Sequence, residues 1–177
     1  MKRILILGPC GSGKTTFANL LAEKVDIPIY YLDQLYFLPG WIEPKKEEWQ
    51  QKISGIIEND AWIIEGNYGG TLSDRLSRAD TVVYLHSNTF SNFVRIIKRV
   101  IKFYGKERPH MAKGCKERFD LSFISYVLHF NFIKRPSIFK KIKVADLWNQ
   151  TFFISSDDDR VQFISKLEQS LPKDVTN

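Results

Sequence analysis

The chain has 177 residues, 44% of them hydrophobic, which suits one domain with one core and leaves no room for a second enzyme domain. No apolar run approaches the roughly 18 residues of a membrane span, and two cysteines, Cys10 and Cys115, are too few for a disulfide framework and lack metal-ligand spacing. The net charge of +6 is unevenly placed: between positions 95 and 143 fourteen Lys and Arg face only Glu107, Glu117 and Asp120, a local +11, so the rest of the chain carries −5.

In chain order, "RILIL" (3–7) reads as a short buried strand, and "TTFANLLAEKV" (15–25) carries its apolar residues at helical spacing. Between them stand Gly8, Pro9, Cys10, Gly11, Ser12, Gly13, Lys14, Thr15 and Thr16. This stretch fits G-x-x-x-x-G-K-[ST], in which glycines let several backbone N–H groups converge on one anion and the following helix adds its positive dipole end. The loop is expected to cradle the phosphates of ATP. Lys14 would reach the outer phosphates as a catalytic charge, and the Thr15 hydroxyl would take one position on Mg²⁺. A phosphate loop that begins at Gly8 leaves no space for a cleavable signal sequence, so the expected location is the cytoplasm, with both thiols reduced.

Further along, "IPIYYLD" (27–33) predicts a second strand ending in the carboxylate of Asp33, and "FLPGWIEP" supplies turn residues. "KKEEWQQKISGIIEND" places Trp49, Ile53, Ile56 and Ile57 on one helical face. "AWIIEGNY" predicts a third strand, with Glu65 after four apolar residues, and "ADTVVYLH" a fourth that ends near His86. Helices are expected over 89–104 and 120–133, separated by "GKERPHMAKGCKERF"; "QTFFIS" makes a fifth strand and 157–170 a closing helix. That alternation predicts an α/β fold, a parallel sheet between two layers of helices. Ligands of such sheets sit at the carboxyl ends of the strands, where Asp33, Glu65 and His86 are all expected beside the phosphate loop.

Each candidate side chain carries a role and an alternative. Glu65 has the pattern of a second metal-site carboxylate, acting on Mg²⁺ through water; otherwise it is an ordinary strand-end acid. Asp33 would orient or deprotonate an acceptor hydroxyl, or else cap a helical turn or stand in the metal's outer shell. Arg99, Arg108 and Arg118 are expected to stabilise charge on the transferring phosphoryl group, with Arg95 one helical turn from Arg99. The loop around Arg108 and Arg118 contains a glycine and reads as a lid. The basic segment at about 95–143 is thus a lid-like insertion, a nucleic-acid surface or a solvated face. Tyr31, Tyr36, Phe37 and Trp41, and the aromatic stripe from 119 to 132, are assigned mainly to core packing. His86, His110 and His129 have no metal-ligand spacing.

The blocks "GPCGSGKTTFANLLAEK", "IPIYYLDQLYFLPGW", "WIIEGNYGGTLSDRLSRADTVVYL" and "RPHMAKGCKERFD" resemble the adenylate-kinase-like P-loop proteins known as DNA topology modulation proteins, over about three quarters of the length. The resemblance implies a P-loop NTPase three-layer sandwich, a five-stranded parallel sheet in the order 2-3-1-4-5 and a kinase-like site. It also implies aspartate where this chain has Glu65 and an acidic residue where it has His86. The combined expectation is a single domain over 1–177 that moves the ATP γ-phosphoryl group to a small hydroxyl or phosphate acceptor. The alternative is an ATP-dependent nucleic-acid-binding or DNA topology modulating protein. Neither expectation involves a membrane partner.

Overall fold

Uninterrupted apolar runs at 4–7, 62–64 and 82–85 are buried throughout, the pattern of strands covered on both faces. The computed structural model describes residues 1–170. Its five strands are β1 (Arg3–Leu7), β2 (Ile29–Tyr31), β3 (Trp62–Glu65), β4 (Thr81–Leu85) and β5 (Thr151–Ile154). They form one wholly parallel sheet in the order β2-β3-β1-β4-β5, the expected P-loop NTPase order. Helices α1 (Lys14–Ala22), α2 (Leu32–Tyr36), α3 (Lys46–Ile57), α4 (Leu72–Arg78), α5 (Thr89–Phe103), α6 (Leu121–Val144) and α7 (Asp157–Ser170) complete it.

Because successive strand residues point to opposite faces, the strands feed two separate cores. Leu5, Leu7, Trp62, Ile64, Val82 and Tyr84 pack against α3, α4 and α6. Ile4, Ile6, Ile63, Val83 and Leu85 pack against Phe17, Ala18 and Leu21 of α1 and Phe163 and Leu167 of α7. Each fully buried aliphatic side chain contributes about 1.5–3 kcal/mol, so both helix layers are held firmly and the loops at the strands' carboxyl ends are presented from a rigid base.

Three elements differ from expectation. The second strand ends at Tyr31, and Asp33 falls in the first turn of α2. Its neighbours Leu32, Gln34 and Leu35 are good helix formers, which ends the strand early. The seven-residue α4 was not anticipated. Finally, α6 does not stop near 133 but runs on through Pro136 to Val144. Proline removes one backbone donor and crowds the preceding turn, yet Ile138 and Ile142, one turn apart, are buried in the main core, and their burial carries the helix past it. The basic segment therefore forms α5, a loop and α6, the crossover between β4 and β5.

Pro136 is exposed, so Pro136→Ala restores a helical hydrogen bond without touching the core. Urea unfolding should show a gain of about 1 kcal/mol or more, since an interior helical proline costs up to about 3 kcal/mol relative to alanine. A loss of stability would mean that the proline is itself needed for the packing of α6.

Candidate active site

The phosphate loop joins β1 to α1 and is held open by backbone that only glycine adopts easily. Gly8 has φ 140° and Gly11 φ 81°. A Cβ on Gly8 would lie 2.5 Å from the Leu85 carbonyl oxygen, and one on Gly11 2.9 Å from that of Asn92, so neither position admits a side chain. Lys14 is buried; its Nζ donates to the Pro9 carbonyl at 3.0 Å and stands 3.9 Å from Glu65 Oε1. Thr15 Oγ1 donates to Glu65 Oε2 at 3.2 Å. Strand β3 thus brings Glu65 against the loop, between the two residues assigned to the outer phosphates and Mg²⁺.

The donor set suits a phosphate chain. The buried Ser12 hydroxyl has no partner among the described residues, and the first turn of α1 carries no acidic residue to compete for its N–H groups. A divalent cation fits as well. Burial pushes the Glu65 carboxyl above its ordinary pKa, with Lys14 opposing, so its ionised form gains from a nearby positive charge. Among the described residues no three His, Cys, Asp or Glu converge on one point, so a cation here would rely on Thr15, Glu65, phosphate oxygens and water.

Two residues lock this arrangement: Asn67, expected from the sequence only in a turn that lets a substrate approach, and Arg75, expected among the arginines that complete the site. Asn67 clamps the Gly8 peptide from both sides: its Oδ1 accepts from Gly8 N at 3.1 Å and its Nδ2 donates to Gly8 O at 2.8 Å. Beneath it, Arg75 is fully buried and donates to the carbonyls of Gly66, Asn67 and Tyr68 at 2.9, 2.6 and 2.9 Å. Burial lowers its pKa to about 9, still above neutrality, so it remains a cation. The sequence held a signal: Leu72, Arg75 and Leu76 share one face of α4, and an arginine among buried leucines must hydrogen-bond inward.

The opposite wall is built by α2, α5 and the loop before α6. Asp33 Oδ1 accepts from Tyr68 Oη at 2.9 Å, and Oδ2 accepts from Arg108 Nη2 at 3.3 Å. Arg108 Nε stands 2.9 Å from Glu117 Oε2, and Arg99 Nη2 donates to Glu117 Oε1 at 3.3 Å. Glu117, counted in the sequence only as one of three acids in the basic segment, is buried at the centre of the two arginines. Its backbone is fixed on both sides, with its N–H bonded to Lys106 O and its carbonyl to Gly105 N-H, each at 2.9 Å. Burial lowers the Arg99 pKa, and the neighbouring Arg108 charge lowers it further.

Arg118 is exposed, 3.7 Å from Asp120, with its guanidinium 5.5 Å from the Trp41 ring centre. Arg95 reaches the phosphate loop, donating to Gly11 O at 3.1 Å. The loop at 105–119 is docked on the segment after α2: Gly40 N bonds Gly114 O, and Trp41 Nε1 bonds Lys116 O. An arginine not foreseen, Arg160 of α7, stands against Gly13 from the far side.

One cavity of about 570 Å³ gathers most of the candidates: Cys10, Lys14, Asp33, Glu65, Arg99, Arg108 and Arg118 all line it. Gly8, Pro9, Gly11, Ser12 and Gly13 form the loop at its edge, Thr15 touches Glu65, and Thr16 faces solvent. Both cysteines are free. His86 does not join them; it packs among Tyr84, Phe139 and Phe153, where burial lowers its pKa. The aromatic stripe divides. Phe119 and Phe132 are exposed, but Phe123, Tyr126 and Phe130 line the cavity, as do Phe37, Trp41 and Tyr68, so these side chains wall a site as well as pack.

No protein-family model and no curated protein matches the chain. Solved structures do. A deoxyadenosine kinase from M. mycoides with bound dATP superposes with a TM-score of 0.51 at 12% identity, over 96% of this chain and 100% of that one. A shikimate kinase from Bacteroides thetaiotaomicron gives 0.52 at 17%, over 95% and 97%. Another from Acinetobacter baumannii, in complex with shikimate, gives 0.56 at 16%, over 97% and 96%. The chain has a P-loop kinase fold. Among its described residues no helix is long and apolar enough to cross a membrane.

If the Asn67 clamp shapes the loop of this kinase fold, Asn67→Ala should weaken MgATP binding about tenfold in calorimetry, the equivalent of one or two lost hydrogen bonds, while the protein stays folded. Arg75→Met leaves three carbonyls without their cation and should destabilise the protein by about 3 kcal/mol or more in urea. Unchanged MgATP affinity in Asn67→Ala would show that the loop keeps its shape without the clamp.

Proposed function

We propose that the protein is a phosphotransferase that moves the γ-phosphoryl group of ATP to a hydroxyl of a small acceptor held in the cavity. The observation that carries this is the meeting, in one cavity, of a phosphate loop with Lys14 and a carboxylate, Asp33, flanked by arginines from another part of the chain. The kinase neighbours support the reaction class; the acid and the arginines support a transfer to an acceptor rather than nucleotide binding alone.

In this reading the loop N–H groups and Lys14 hold the triphosphate, and Thr15 and Glu65 hold Mg²⁺. When bound, Mg²⁺ neutralises charge on the phosphate oxygens. Asp33, turned into the cavity by Tyr68 and Arg108, orients the acceptor O–H and takes its proton as the oxygen attacks the γ-phosphorus; the bond to the bridging oxygen breaks and ADP leaves. Arg99 and Arg108 stand where charge develops on the transferring group. Glu117 fixes both, so the chain supplies the cations already oriented. The 105–119 loop, already docked on the segment after α2, would help exclude water and protect ATP from hydrolysis. The free thiols and dependence on ATP suit the cytoplasm. The DNA-directed alternative gains nothing from the comparisons, and the two most enclosed arginines of the basic segment turn inward to Glu117 and Asp33.

An ATP-consumption screen across nucleosides, nucleotides, sugars and small alcohols with Mg²⁺ should find an acceptor that stimulates ADP release. MgATP should raise the melting temperature, and Lys14→Ala should remove most of that shift. Asp33→Asn should keep MgATP affinity and lose about 10² to 10⁴ in acceptor-dependent turnover. Wild-type turnover in that variant would sink the acceptor-base role, since asparagine caps a helix nearly as well as aspartate.

A further inference from the structure

The cavity that holds Asp33 is also lined by two groups of aromatic side chains from different parts of the chain. One is Phe37 and Trp41, in the segment after α2, with Tyr68 from the turn after β3. The other is Phe123, Tyr126 and Phe130 at positions i, i+3 and i+7 of α6, one face of one helix. Within this second surface the Phe123 and Tyr126 rings lie nearly parallel, 21° apart with centres at 6.3 Å, and Tyr126 meets Phe130 edge-on at 5.6 Å.

Both surfaces are tied to the reacting cluster. Tyr68 donates to Asp33, the Arg99 guanidinium lies 5.5 Å from the Phe123 ring centre, and Arg118 lies at the same distance from Trp41. A compound whose hydroxyl reaches Asp33 therefore shares the cavity with these aromatic side chains. Flat rings gain most from such faces, because stacking adds to burial without requiring a particular edge pattern.

The charges near Asp33 constrain the ligand further. Arg99 and Arg108 already face Glu117, Arg108 also faces Asp33, and Arg118 faces Asp120. An anionic group beside the reacting hydroxyl would meet the carboxylates of Asp33 and Glu117 and compete with the transferring phosphoryl group for the same arginines. We propose that the acceptor is an uncharged hydroxyl compound carrying a flat unsaturated ring, a nucleoside being the type, with the ring held between the two aromatic surfaces. This deepens the phosphotransferase reading and rests on it.

Calorimetry with adenosine, guanosine, cytidine and thymidine, in the presence of Mg²⁺ and a non-hydrolysable ATP analogue, tests it on wild type, Phe123→Leu and Trp41→Leu. At least one nucleoside should bind. Each leucine variant, folded by its melting curve, should bind that nucleoside about tenfold or more weakly while its affinity for the ATP analogue stays within about twofold. Three results would overturn the proposal: no nucleoside binding at millimolar concentration, wild-type nucleoside affinity in both variants, or tighter binding of a nucleoside monophosphate or of the hydroxycarboxylate shikimate than of any nucleoside. The monophosphate arm also probes Lys134 and Lys141, which line the cavity from α6. ADP release is read separately: nucleoside binding with ATP but no ADP leaves the ring slot standing and removes the phosphotransferase reading, whereas phosphorylation of a ring-free alcohol does the reverse.

Discussion

The site depends on one constraint, that the Gly8 peptide must be held in a conformation no other residue accepts easily. Its N–H and carbonyl are both taken by the Asn67 amide, while the Leu85 carbonyl closes the space where a side chain would stand. Three parallel strands meet there: β1 supplies the loop, β3 the turn that carries Asn67, and β4 the blocking carbonyl. The register makes this possible, since Ile6 pairs with Glu65 and Leu7 with Tyr84, so the three strands end within about two residues of one another. Arg75 then fixes the turn from below through three carbonyls. Glu65 and Tyr68 bracket Asn67 in that turn, so the clamp that shapes the phosphate loop also sets the positions of the Glu65 carboxylate and of the hydroxyl that bonds Asp33.

The second half of the site is organised by charge. Two arginines turned into a partly enclosed cavity would repel each other, and taking either out of water is costly. Glu117 answers both problems, with one oxygen for each guanidinium, from a backbone bonded on both sides. A carboxylate on a mobile loop could swing away with its arginines; one pinned at the base of a docked loop keeps them at a fixed spacing. Preorganised cations of this kind need no rearrangement as charge shifts during phosphoryl transfer.

Sequence spacing was a good guide wherever structure is local. The loop from Gly8 to Thr16 is contiguous, so its chemistry can be read from eight or nine letters. The strands announced themselves because both faces are covered and the apolar runs are unbroken. What escaped was long-range. Glu117 looks like any acid in a basic stretch until α5 and the 105–119 loop fold around it. Asn67 lies 59 residues from Gly8, and Phe123, Tyr126 and Phe130 show the spacing of a core face because helical periodicity does not distinguish a core from a cavity wall. The end of α6 was missed for a different reason: the helix runs on through Pro136, an unfavourable interior residue, because Ile138 and Ile142 are buried beyond it.

That division between local and long-range bears on how such a fold acquires its substrate. The phosphate loop is written in one contiguous turn between strand and helix, while its shape also draws on Asn67, Arg75 and the Leu85 carbonyl. The opposite wall of the cavity is assembled from the segment after α2 and from the crossover between β4 and β5, where Ile138 and Ile142 seat α6 in the core. Structures sharing only 12 to 17% of their residues with this chain have the same fold, yet are kinases named for acceptors as different as deoxyadenosine and shikimate. Fold alone therefore cannot choose the acceptor. In the proposed reading the choice lies with the aromatic side chains that line the cavity, Phe123, Tyr126 and Trp41, and with the ion pairs that already occupy the arginines.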